Sequence, residues 1–530
     1  MRRAHPLLLC AALIAAYPAT CAATAPTNET TSAPAAVPGQ VAWMDAAGDA
    51  DVDKAFALGR AERKPVLVYW GAQWCPPCNQ LKATLFNRQD FIERSKGFVA
   101  VHVDGDLPGA QKLGTRFKVR GYPTLILFST QGTEITRLPG EADAPQVMSV
   151  LEQGMSGGRP VRQVLADGRA GKALTASEWR MLAFYSWDTD EAQLLSDAER
   201  PGVLAQLAAA CPAADADSGT RLLLKAVADS DDGKGIKPDA ALRERVLKLL
   251  ADPATTRAQM DIVVNYAPDL TRALEPERGA GRNRMVAAFD TALKRLQADP
   301  SLSRADRVSA LFARVDLARI DQPKDTLHPT LSPALLKEVR DEAARQDREI
   351  TNGYERQAVI TEASQLLAEA GLWADSDALL KANLSKSHSP YYLMSELASN
   401  ARKLGRDADA LRWYQQAFET SQGPATRLQW GASYLNALVD LSPNDASGIE
   451  KTATQLLKEA SAQPNAFYER SARSLQRVGT KLTGWNDGGK HQPVIDRLQS
   501  QLDGVCGKLG PADPQRATCS GLLKATHKAA

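Results

Sequence analysis

Pro65-Val66-Leu67-Val68-Tyr69-Trp70-Gly71-Ala72-Gln73-Trp74-Cys75-Pro76-Pro77-Cys78 begins as an unbroken apolar run of strand length and ends in two cysteines separated by two prolines. Continuous rather than alternating apolar residues predict a strand covered on both faces. Leu81, Leu85 and Phe86 follow at helical spacing, so the cysteines stand where a strand feeds a helix. Pro76 and Pro77 suit a first helical turn, because their missing N–H groups would have no intrahelical partner there. Cys75 then sits at the positive pole of the helix, which favours its thiolate. Cys75 is the expected nucleophile, and Cys78, one turn further in, the thiol that breaks a mixed disulfide by attacking the Cys75 sulfur. A metal site would need two more soft ligands, and neither the histidines nor the other cysteines cluster nearby. The other reading is a purely structural disulfide, whose short loop gains little closure entropy.

Working outward, 51–63 has a helical pattern, 98–104 reads as a strand, and Gly121-Tyr122-Pro123-Thr124 leads into the apolar strand Leu125-Ile126-Leu127-Phe128. A hairpin partner at Glu134–Leu138, a turn glycine at Gly140 and a helix over 144–152 complete the order. Trp74-Cys75-Pro76-Pro77-Cys78 behind a buried strand, in this order of elements, resembles the thioredoxin superfamily over about residues 41–155. The resemblance implies an α/β thioredoxin fold and a thiol-disulfide oxidoreductase whose redox pair is Cys75 and Cys78. It also implies a cis Pro123 facing that pair, with the Tyr122 backbone open for strand-like pairing with substrate and Trp74 shaping the rim. Phe86 and Phe91 are similar to the exported branch that includes the periplasmic end of the membrane disulfide-interchange reductase. Two positions depart from the family pattern. Tyr69 stands where the family buries an acid, and Ala100 where it places that acid's lysine partner. A tyrosine, with a reference pKa of ~10, is a poor base at neutral pH, so resolution by Cys78 has to rely on water or on another group.

Pro77 occupies the position where strong oxidants of the superfamily carry His, so neither a positive charge there nor an N–H from residues 76 and 77 stabilises the Cys75 thiolate. A less stabilised reduced form is a better reductant, which favours reduction or isomerisation of target disulfides over disulfide donation. No flavin or nicotinamide fingerprint is present, so the expected cofactor is none beyond the Cys75–Cys78 disulfide. The implied partners are protein thiols and disulfides, with a membrane thiol carrier as electron donor.

Met1-Arg2-Arg3, an apolar run over 7–16 and small residues through Ala23 have the grammar of a secretory signal, 1–23. A buried N-terminal helix is the alternative, but Pro6 and Pro18 bracket the run. The run is short of the ~20 apolar residues that cross a bilayer, and no second candidate follows. Residues 24–40, rich in Thr, Ala, Pro and Ser, read as a disordered tether. Export to the periplasm, or secretion, is therefore expected. The 530 residues leave room for three or four domains at ~150 residues each. Lys plus Arg (64) almost balances Asp plus Glu (62), which excludes a polybasic nucleic-acid binder. Seven cysteines are too few for a disulfide-built fold, and losing Cys10 and Cys21 with the signal leaves Cys75, Cys78, Cys211, Cys506 and Cys519.

Gly154, Gly157, Gly158 and Pro160 mark a linker over 156–175, and Thr175-Ala176-Ser177-Glu178 has the spacing of a capping box that opens a helix. From 176 to 530 the apolar residues recur at three and four, which predicts an all-α region. Gly371 and Gly405 end comparable helices 34 residues apart, the tetratricopeptide period. Leu397, Ala398, Ala410, Tyr414 and Ala417 fall where that repeat packs its residues, with Ala363, Ser376 and Leu380 in the preceding copy. Such arrays bind peptides on a concave face, so the region either recruits partners to the redox site or is a structural extension. A competing reading makes the helical array a protein-binding scaffold and the redox fold its adaptor. Cys506 and Cys519 suggest a structural disulfide near the C-terminus, or else two free thiols. Cys211 reads as a small buried side chain, or as an intermolecular thiol. Gly168-Arg169-Ala170-Gly171-Lys172 lacks the glycine spacing and terminal hydroxyl of a phosphate loop.

Overall fold

The computed structural model describes residues 39–138, 143–190, 193–230 and 235–524; the expected signal, nearly all of the tether and the turn at Gly140 lie outside them. The N-terminal part is an α/β domain that runs β1 (Met44–Asp45), α1 (Asp49–Glu62), β2 (Val66–Gly71), α2 (Pro76–Thr84), α3 (Gln89–Ser95), β3 (Val99–Asp104), α4 (Pro108–Phe117), β4 (Thr124–Phe128), β5 (Glu134–Leu138) and α5 (Ala144–Met155). The strands form one sheet in the order β1-β3-β2-β4-β5. β1 and β2 run parallel to β3, while β4 is antiparallel to both β2 and β5.

β2 is the central strand, and all six of its residues are buried, as the continuous apolar run requires. Its two faces feed two cores. Leu67 and Tyr69 pack with Leu81, Leu85, Phe91 and Leu151, whereas Val66, Val68 and Trp70 pack with Val52, Phe56, Val101 and Leu113. Truncating any one of these aliphatic groups to alanine would cost about 2–5 kcal/mol, so the strand that carries the cysteines is held rigidly from both sides. This is the architecture that the resemblance implies.

The segment 156–175 is not the linker that its glycines and proline predict. It contains α6 (Val161–Arg169), whose Val161, Val164 and Leu165 are buried in the same core as Leu67 and Leu127. The physical reason lies in what the glycines do. A Cβ at Gly154 would fall 2.4 Å from Leu127 Cδ2, so that glycine lets α5 lie close on the sheet, and Gly157 makes a turn at φ +91°. Trp179, Leu182 and Trp187 extend this core into the helical part, so the two halves share one apolar interior.

Every further element from α6 to the short helix Gln515–Gly521 is helical among the described residues. The capping box at Thr175 and Glu178 is formed, and it starts the helix Ala176–Ala183. Gly371 and Gly405 both take left-handed φ, at 76° and 67°. Each closes its helix with the same pair of bonds, Gly371 N to Ala368 O with Leu372 N to Leu367 O, and Gly405 N to Arg402 O with Arg406 N to Ala401 O. Both therefore turn Gly353–Glu369 and Pro390–Lys403 back onto Trp373–Asn383 and Asp407–Thr420 in the same way. Ala363, Ser376, Leu380, Leu397, Ala398, Ala410 and Ala417 are buried between these helices, and Tyr414 is half-buried. Cys506 and Cys519 are bonded to each other and tie Gln492–Cys506 to Gln515–Gly521. Cys211 is a free, half-buried thiol. No helix among the described residues is long and apolar enough to cross a membrane.

Candidate active site

Cys75 is the N-cap of α2, and Pro76 and Pro77 fill its first two helical positions. Its sulfur accepts the Cys78 backbone N–H at 3.2 Å, which brings the free end of the helix dipole onto the nucleophile. Cys75 and Cys78 are joined as a disulfide, with their Cα atoms 5.3 Å apart. Asn79 stabilises this turn. Its side-chain amide donates to Gln73 O and to Cys75 O, each at 2.8 Å, so one buried residue holds both ends of the active-site loop.

The Tyr122–Pro123 bond is cis. Tyr122 and Trp74 pack against the small cluster formed by Ala72, Cys75 and Cys78. Tyr69 is buried behind the site, stacked on His102 at 5.3 Å. Burial, followed by the charge of Asp104, pushes its phenol far above the ordinary tyrosine value, so it cannot accept a proton from Cys78 at neutral pH. Among the described residues no group of His, Cys, Asp and Glu is arranged to hold a metal ion.

The helical region covers this face. Trp74 Nε1 donates to Thr426 Oγ1 at 2.9 Å, and Thr426 in turn donates to Asp106. Arg470 bonds Asp106 at 2.6 Å and lies over both Trp74 and Tyr122, at 5.0 and 5.2 Å. Tyr392 stacks on the Trp74 indole at 5.8 Å, with Trp430 at 5.3 Å. Gln357 donates to Trp74 O, and His388 Nε2 to Gln73 O. The outcome is a deeply covered disulfide, with Cys75 2 % exposed and Cys78 0 %.

Beside it the two halves enclose a cavity of about 340 Å³, with Pro76, Pro77, Tyr122 and Pro123 on one wall and Asp306 and Glu362 on the other. Gln80, on α2, bridges the walls through a 2.8 Å bond to Asp306 Oδ1. Burial raises the Asp306 and Glu362 carboxyls above the usual carboxylate range.

The sequence brings Trp74, Cys75, Pro76, Pro77, Cys78, Tyr122 and Pro123 to attention, and the structure gathers all seven at one place. Thr426, Arg470, Tyr392, Trp430, Asp306 and Glu362 carry no local signal, because they reach the site only through the docking of helices 200–400 residues away in the chain. Asn79 and Gln80 do carry a local signal, two amides directly after the second cysteine, which the motif reading passes over.

A family model for a thioredoxin-like domain matches residues 52–155. Over 107 residues the chain is 30% identical to the thiol:disulfide interchange protein DsbD 2 of Pseudomonas aeruginosa, covering 19% of this chain and 18% of that protein. It is 33% identical over 99 residues to DsbD of Cronobacter sakazakii, 18% of this chain and 17% of the relative. DsbD of Yersinia pestis matches at 30% over 99 residues, again 18% and 17%. The chain thus spans less than a fifth of the length of these relatives, and the helical region lies outside the residues that the family model matches. Residues 52–155, with the buried central strand, the capped Cys75–Cys78 pair and the cis Pro123, are a thioredoxin-superfamily domain similar to that of the DsbD proteins.

Proposed function

We propose that this protein is an exported thiol-disulfide oxidoreductase that reduces or isomerises disulfides in the periplasm through its Cys75–Cys78 pair. The observation that carries the reading is the placing of Cys75 at the N-cap of α2, against Cys78 and beside the cis Pro123. Cys75, as thiolate, attacks the substrate disulfide; Cys78 then attacks the Cys75 sulfur and releases the second product thiol. Tyr122 and Pro123 align the substrate beside the pair, and Trp74 orients the loop. The names of the DsbD relatives support thiol-disulfide exchange as the activity. The Arg-led apolar N-terminus supports export by a signal peptide. Electrons come from a membrane thiol carrier, and no cofactor beyond the dithiol is needed. The helix pairs around Gly371 and Gly405, with their shared cap geometry, support a tetratricopeptide-like array that frames the redox site.

The test is the equilibrium potential of the pair against glutathione in a Cys211→Ala background. A value near about −270 mV agrees with a reductase. A value near about −120 mV makes the protein a disulfide donor and overturns the direction proposed.

A further inference from the structure

The cavity beside the redox pair is one-sided in charge. Asp261, Asp306 and Glu362 line it, and among its described lining residues there is no Lys, Arg or His. Asp261 is already neutralised by a two-point bond to Arg221, at 2.8 and 2.5 Å. Asp306 and Glu362 have no ion-pair partner among the described residues. Asp306 is bonded by the neutral groups Ser303 and Gln80, and Glu362 by Ser309 Oγ at 2.9 Å. Burial disfavours the ionised form of both, and the charge of Asp306 adds to the rise at Glu362. A cation entering the cavity would favour their ionised form and be held by it.

The shape is as selective as the charge. Val264, Asn265, Ser309 and Glu362 also line a second groove of about 460 Å³, so the cavity continues outward along the helical region into a stretch of mixed charge, with Arg272, Arg319 and Lys324 set among Asp269, Asp316 and Glu369, and only its inner end is purely acidic. Together the two spaces fall in the ~300–1,000 Å³ range that encloses a small ligand. The cavity meets the redox loop at Pro76 and Pro77, while Arg470 lies over Trp74 and Tyr122 and the Tyr392 and Trp430 rings pack on Trp74.

We propose that this cavity selects slender disulfides that carry a positive charge close to the reacting sulfur, and that it excludes disulfides set in the surface of folded proteins. The proposal rests on the redox reading above and narrows its substrate class. In one turnover Cys75 Sγ bonds to one substrate sulfur as the substrate S–S bond breaks. Cys78 Sγ then bonds to Cys75 Sγ and expels the second sulfur. The two thiol protons of the reduced pair end on the two product thiols, so the substrate gains two electrons and the protein becomes the Cys75–Cys78 disulfide. An external dithiol restores the reduced form.

The experiment uses the full chain with Cys211→Ala, reduced with dithiothreitol and freed of it. Oxidation of the pair is followed with cystamine (two ammonium groups), hydroxyethyl disulfide (neutral) and glutathione disulfide (net negative). Each rate is divided by the rate of the same disulfide with dithiothreitol. A cation beside a carboxylate is favoured by one pKa unit or more, so the cystamine rate should exceed the neutral one ~10-fold or more, with glutathione disulfide slowest. Glu362→Gln should pull that ratio towards one. A lysine-flanked cystine peptide that shares the advantage points to extended chains as substrates, and an advantage confined to cystamine points to small amines; either supports the proposal. A wild-type ratio near one, a ratio that Glu362→Gln leaves unaltered, or a folded-protein disulfide that reacts as fast as the neutral compound overturns it. If none of the disulfides oxidises the pair, the redox reading itself fails.

Discussion

Thr426→Val tests whether the Trp74 anchor keeps the redox pair covered. Thr426 is fully buried, accepts the Trp74 indole N–H at 2.9 Å and donates to Asp106. Valine keeps its shape and removes both bonds, while Arg470 stays on Asp106 at 2.6 Å. Leaving a buried donor without its partner costs about 1–3 kcal/mol. With every ~1.4 kcal/mol worth a factor of ten, the equilibrium between open and covered interfaces shifts by roughly 5- to 150-fold. Because Cys75 is only 2 % exposed, its reaction with a bulky maleimide passes through that opening. The rate of Cys75 modification in reduced Cys211→Ala protein should rise by the same factor in Thr426→Val, and Thr426→Ser, which keeps the hydroxyl, should stay near wild type. A Thr426→Val protein that melts cooperatively yet modifies within about twofold of wild type would refute the role given to this contact.

Cys78→Ala, which leaves Cys75 unable to be released, should accumulate covalent mixed disulfides that vanish on adding dithiothreitol, as seen on non-reducing gels; a scaffold would keep its partners unchanged. Removing the Cys506–Cys519 bond with a Cys506→Ser, Cys519→Ser pair should cost about 3 kcal/mol, the entropy expected for a loop of this length, read as a lower denaturant midpoint with the Cys75–Cys78 potential unmoved. Burial, aided by Glu369, raises the Asp316 carboxyl to about 7. A folded pKa above the unfolded one means that the native state binds more protons between about pH 4 and 7, so this group lowers stability as pH rises through that window. Asp316→Asn should therefore stabilise the protein at pH 8 relative to pH 5 by about 2 kcal/mol after discounting for solvent, and equal unfolding curves at the two pH values, wild type against variant, would sink the assignment.

The redox domain was legible because its signals are local. A continuous apolar run of six residues suits an interior strand covered on both faces, and two prolines after a cysteine suit the first turn of a helix. The helical region was legible for the same reason, through its three-and-four spacing and its positive-φ glycines at Gly371 and Gly405. The linker reading at 156–175 failed because glycine has two uses. At Gly154 it serves close approach of α5 to Leu127, which looks in sequence like chain freedom.

What the sequence by itself determined is the chemistry: a dithiol at a helix N-terminus, with no acid at position 69 to assist it. What only the tertiary structure decided is access. Trp74 reads as a rim residue for substrate, yet its indole is bonded to Thr426, 352 residues away, and roofed by Arg470. The Asp306 and Glu362 carboxyls face Pro76 and Pro123 only because Arg304–Ala318 and Gly353–Glu369 dock beside α2. Helical periodicity records which face of each helix is buried but not which partner buries it, since apolar contact is non-directional and the pairing is chosen by the packing of the whole chain.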